Sequence, residues 1–152
     1  MTEGAAVSDD LWQCQSLLLR FVQSLDAGNA DEAVTLLTPD VMWHRQDEVL
    51  VGRPAVREVI NRRAPDRMIR HHLSNIVVTL RGPLNAASVA YYAVYLHEGP
   101  ALPRVINGPA HVGDYHAEYI KADGSWGISS LRANRVFSGV SRAQGGQSTG
   151  DR

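Results

Sequence analysis

Apolar residues recur at helical spacing early in the chain and in alternation later. Leu11, Cys14, Leu18, Phe21, Val22 and Leu25 predict one amphipathic helix that ends near Gly28. Asn29, with Glu32 three residues on, forms a capping box for a short second helix through Leu37, which Pro39 stops. Val41–His44 and Glu48–Val51 read as short strands. Gly52-Arg53-Pro54 opens a third helix, with Val56, Val59 and Ile60 as its buried stripe. Four longer segments rich in Val, Ile, Tyr and Thr follow: Met68–Leu80, Ser88–His97, Ala110–Lys121 and Trp126–Phe137. Asp123-Gly124 is a hairpin signal between the last two. Helices followed by an antiparallel meander mean an α+β fold rather than alternating α/β.

The organisation is one domain, from about Asp9 to Phe137. Residues 1–8 and 138–152 read as disordered ends, because neither holds enough apolar surface to bury. Glu98–Pro109 carries three prolines beside Leu102, Val105 and Ile106. It reads either as a surface loop or as a lid over a pocket mouth.

Two polar positions break the pattern. On a helical wheel at ~100° per residue with Leu11 at zero, Val22 falls near ~20°, Leu19 near ~80° and Asp26 near ~60°. Asp26 therefore lies inside the apolar arc, where a carboxylate is costly without a partner. A hydrogen bond to nearby backbone would also satisfy it. On the first long strand, His71 shares a face with Ile69, Leu73 and Val77, and His72 with Arg70 and Ser74. Alternation puts His71 inward and His72 outward. His97 shares a face with Val89, Tyr91, Ala93 and Tyr95. His111, Tyr115 and Tyr119 share one with Gly113 and Ala117. Each histidine alone fits an ordinary core or surface role; several converging on one cavity would make a site.

Composition narrows the function classes. The chain has 152 residues, 44% of them hydrophobic and 20% charged, with a formal net charge of −1. That excludes an intrinsically disordered chain and carries no basic footprint for nucleic acid. No apolar run approaches the ~20 residues of a membrane span. Met1–Asp10 is too polar for a signal peptide, and Cys14 is the single cysteine, so a cytoplasmic protein without intrachain disulfides is expected. No zinc, phosphate-loop, nucleophile-elbow or dinucleotide motif is present, so neither metal nor cofactor is expected.

The segments FVQSLDAGNADEAVTLLTPDVMW, VGRPAVREVI, RHHLSN and YIKADGSWGISSL resemble the SnoaL-like branch of the NTF2-like superfamily, over about Leu11–Phe137. The resemblance implies a cone, with N-terminal helices packed on a curved antiparallel sheet. Within that branch the chain is similar to the Asp–His lyases: scytalone dehydratase, bile-acid dehydratase and hexachlorocyclohexane dehydrochlorinase. SLDAGNAD then puts the family's aspartate at Asp26, and RHHLSN puts its histidine at His71. His97 stands where scytalone dehydratase has a second histidine, and Tyr115 near its substrate-contacting Asn. Leu25 and Arg45 stand where that enzyme has water-holding tyrosines, a departure that points away from a scytalone-like substrate.

These readings make Asp26, His71 and His97 the candidate catalytic residues, and Tyr115, Trp43, Tyr91, Tyr95 and His111 the candidate substrate contacts. The expected activity is a cofactor-independent elimination on a small, cyclic, mostly apolar substrate. A cyclase or isomerase on the same pocket, or a non-catalytic subunit like a ring-hydroxylating dioxygenase β subunit, are the alternatives. Apolar residues on both faces of Ser88–His97 predict a homo-oligomer built on the outer sheet face, and the resemblance implies that it is a dimer or trimer.

Overall fold

The first helix, α1 (Glu3–Ala27), ends in a motif that its sequence dictates. Gly28 takes φ +73°, its N–H bonds the Leu25 carbonyl at 3.2 Å, and the Asn29 N–H bonds that of Ser24 at 2.9 Å. That is the paired termination a left-handed glycine allows. Asn29 then caps α2 (Ala30–Thr35), its side chain accepting from the Glu32 N–H at 3.2 Å. Seven elements follow: β1 (Leu37–Arg45), β2 (Glu48–Val51), α3 (Gly52–Asn61), β3 (Arg67–Leu80), β4 (Asn85–Glu98), β5 (His111–Ala122) and β6 (Ser125–Ser138). This computed structural model describes residues 3–45, 47–100 and 106–139.

The strands form one sheet in the order β2-β1-β6-β5-β4-β3. All pairings are antiparallel except β1 with β6, which is parallel. The architecture is α+β. Cys14, Leu18 and Phe21 of α1 are fully buried, as are Val56 of α3 and Val41, Ile128 and Leu131 of the sheet. Asp123 and Gly124 both take positive φ and close the β5–β6 hairpin as a two-residue turn.

Several local expectations change. Helix α1 begins at Glu3, inside the segment read as a disordered end. Helix α2 stops at Thr35, before Leu37, and Pro39 lies within β1. The β1–β6 register shifts between Leu37 and Met42, so Pro39 sits at an irregularity, a place in a sheet that tolerates a missing N–H. In β3 the register shifts between Ser74 and Val77, where Asn75 adopts φ +51°. This bulge resets the alternation, so Val77 does not share the face of His71 but is 64% exposed. The central part of the Glu98–Pro109 segment and the tail from 140 onward lie outside the described residues.

Candidate active site

Asp26 occupies the last turn of α1, a poor place for negative charge because the carbonyl end of a helix is itself negative. Two sets of contacts offset this. The Arg63 guanidinium reaches over from beyond α3 and donates to the carbonyls of Leu25 (2.7 Å) and Asp26 (3.2 Å). The carboxylate is held by His71: Oδ2 accepts its main-chain N–H at 2.7 Å, and Oδ1 lies 2.6 Å from its Nδ1. That N–H is available because β3 is an edge strand, with no strand paired on its far side among the described residues. The side chains of Asp26 and His71 are 10% and 14% exposed. With Nδ1 turned to Asp26, Nε2 is the ring nitrogen left to act on a substrate.

His71 lines a cavity of about 860 Å³ bounded by the inner sheet face and α3. Trp43, Tyr92, Val94, Tyr115 and Ala133 line its sheet side, and Val59 and Ile60 its helical side. Phe21 supports Trp43 edge-on, with ring centroids 5.5 Å apart. Tyr115 is almost fully buried, its hydroxyl makes no hydrogen bond among the described residues, and burial pushes its pKa well above the ordinary tyrosine value. It is therefore held as an uncharged donor. His111 also lines the cavity. Burial, then the Arg135 charge, push its pKa below the usual imidazole value, against a weaker pull from the Ala110 backbone.

Three expected residues are not in this cavity. Tyr91, Tyr95 and His97 project from the opposite face of β4. Tyr91 is 54% exposed, Tyr95 packs edge-on against the outward His72, and His97 pairs with Met68 across β3. Strand β4 presents Ser88, Ala90, Tyr92 and Val94 inward, all of them buried. Both of its faces are apolar, so alternation alone did not say which was inner. Tyr92 takes the place expected of Tyr91 and Tyr95. Cys14 lies in the core, where burial pushes its thiol up to about 11. Among the described residues no three His, Cys, Asp or Glu side chains form a group that could hold a metal ion.

Of the cavity's five arginines, the sequence singles out Arg45 alone, as a departure from the family's tyrosine, and gives no role to Arg62, Arg63, Arg67 and Arg135. Most pair with carboxylates or carbonyls. Arg45 bonds Glu48 at 3.1 Å and lies over the Trp43 ring, while Arg62 and Arg67 face Glu58 and Glu98. Alternation on β6 offered one signal for Arg135, which sits two residues from Ala133 on the same face.

The sequence model of the SnoaL-like domain family matches residues 6–132. No curated protein matches the chain. Solved structures share the fold. An NTF2-like protein with a cystatin-like fold from Novosphingobium aromaticivorans is 17% identical, with a TM-score of 0.72 over 87% of this chain and 85% of its own. A candidate scytalone dehydratase from the same organism is also 17% identical, with a TM-score of 0.71 over 95% and 94%. The hexachlorocyclohexane dehydrochlorinase LinA-type3 from Novosphingobium barchaimii is 12% identical, with a TM-score of 0.72 over 91% and 93%. At such identities the likeness is one of fold: helices on a curved, mostly antiparallel sheet, the NTF2-like cone.

Proposed function

The chain belongs to the SnoaL-like domain family, and from that premise we propose that it is a lyase using Asp26 and His71 as its general base. The observation that carries this reading is the doubly bonded Asp26–His71 pair at the wall of a cavity whose apolar part is lined by Trp43, Val59, Ile60, Tyr92 and Val94. The carboxylate fixes the imidazole tautomer and balances the imidazolium once His71 Nε2 takes a proton. The proton comes from carbon beside a carbonyl or similar activating group. The electron pair left behind forms a carbon–carbon double bond as hydroxide or halide departs from the neighbouring carbon. A departing hydroxide regains a proton from His71 and leaves as water, so no cofactor is needed. Tyr115, rather than His97 on the other face of β4, is the donor that hydrogen-bonds the activating or departing oxygen. Trp43 and Tyr92 suit a cyclic, mostly apolar substrate.

No helix among the described residues is long and apolar enough to cross a membrane. The single cysteine favours action in the cytoplasm, and a formal net charge of −1 favours a partner other than nucleic acid. The outer sheet face exposes Val77, Val89 and Tyr91, which supports a homo-oligomer, dimer or trimer, joined through that face.

The test is a panel of cyclic β-hydroxy and β-halo carbonyl compounds, read by the absorbance of the conjugated product. Wild type is expected to turn over a member of the panel, and His71→Ala to lose that turnover while keeping its far-UV spectrum. Turnover surviving in His71→Ala at near the wild-type rate, or none across the panel, would overturn the proposal.

A further inference from the structure

The cavity's cationic lining is not explained by a base that removes a proton. Four of the five arginines already have partners: Glu48, Glu58, Glu98, and the Leu25 and Asp26 carbonyls. The side chain of Arg135, an exposed residue at the cavity rim, has no hydrogen bond or ion pair among the described residues, although Asp47 and Glu48 line the same cavity. It pairs across the sheet with Gly113, which stands between His111 and Tyr115 on the inner face of β5. His111 Nδ1, close by, is buried and makes no hydrogen bond of ordinary geometry. A guanidinium and an imidazole, neither with a side-chain partner among the described residues, thus flank the same point of the wall.

Strand register sets where that point lies relative to the base. His71 pairs with Val94, and Val94 with His111, in one row across three strands. Two strand spacings separate the imidazoles' backbones by about 10 Å. That is the span of one or two fused rings, with the apolar Val94 beneath.

We propose, as a refinement of the base-catalysed reading, that the substrate carries a carboxylate, held by Arg135 and His111 at the end of the cavity opposite His71. A planar guanidinium fork matches a carboxylate bidentately. A phosphate dianion would call for further free cations, and the other four arginines are engaged. The ring system would lie over Val94 between Tyr92 and α3, with its acidic C–H toward His71. Arg135 then acts in binding and orientation, and the proton transfer stays with His71.

The test uses naphthoate and its uncharged analogue naphthamide as probes, with binding measured by calorimetry. Wild type is expected to bind naphthoate at least about tenfold more tightly, the size of one charge-assisted hydrogen bond. Arg135→Gln should bind both probes alike, with an unchanged melting temperature. His71→Ala should retain the preference, so the carboxylate site and the base are judged separately. Equal binding of the two probes to wild type, an undiminished preference in Arg135→Gln, or binding of neither probe would overturn the proposal. Should Arg135→Gln fold poorly, Arg135→Lys, which keeps the charge but not the fork, is expected to retain only part of the preference.

Discussion

Asp26 meets His71 twice, once at the ring and once at the main chain, with oxygens 2.6 and 2.7 Å away. The second contact means that the carboxylate positions the strand as well as the imidazole. Asp26→Asn keeps one acceptor oxygen but cannot balance an imidazolium. It is expected to cut turnover by roughly 10²-fold or more, within the range positioned proton transfer supplies, and to change melting temperature much less. His72→Ala, on the outer face, is the control and should leave turnover unchanged. Steady-state kinetics with thermal melts on the same samples check both.

Tyr115→Phe separates activity from stability. The hydroxyl is buried and unpartnered, so removing it relieves a desolvation cost of about 1–3 kcal/mol. The variant is expected to melt at or above the wild-type temperature while kcat falls. A drop in both would mean that the hydroxyl is tied into the fold.

Gly28→Ala tests the end of α1. An alanine there must hold φ +73°, and its Cβ would stand 2.6 Å from the Arg63 guanidinium. The expected cost exceeds about 1 kcal/mol in urea denaturation. Displacing Arg63 also loosens the turn that carries Asp26, so kcat should fall as well, although residue 28 touches no substrate.

Much of the fold was legible because its local signals agree: the Gly28 and Asn29 caps, the Asp123-Gly124 turn and the alternation of β3 up to Ser74. Asp26 and His71 stood out because each is polar among apolar neighbours at the proper period. The reading stopped where one pattern has two solutions. Strand β4 is apolar on both faces, so Tyr91, Tyr95 and His97 were assigned inward when Tyr92, Val94 and Leu96 line the cavity. Arg135 near a strand end looks like any surface arginine until β5 is laid beside it. The bulge at Asn75 could not be read from alternation, since it is the point at which alternation fails.

Acid should weaken the fold through Asp10. Its carboxylate lies 2.7 Å from Lys121 Nζ and 2.8 Å from Trp126 Nε1, tying α1 to β5 and β6. The Lys121 hydrogen bond, then that of Trp126, hold its pKa below the ordinary carboxylate value, against the opposing effect of burial. A depressed folded-state pKa means stability that is present above the unfolded value of ~3.9 and lost as pH falls through the folded one. Melting temperature should therefore decline more steeply below about pH 4 in wild type than in Asp10→Asn.

Tyr91→Glu tests the assembly. A charge at this exposed outer-face position should shift an oligomer to monomer in light scattering and leave the cavity intact. A wild-type monomer at tens of micromolar, a rough working concentration for weak assemblies, would overturn the oligomer.

The free edge of β3 also limits how copies of this chain can join. An unpaired strand edge ordinarily invites another strand to add to it. Here the His71 N–H is already taken by Asp26, and α1 packs against the strand. A strand from another copy could zip onto β3 at His71 only by breaking the carboxylate's hold. Aggregation by edge addition at that point and an intact Asp26–His71 contact are therefore mutually exclusive.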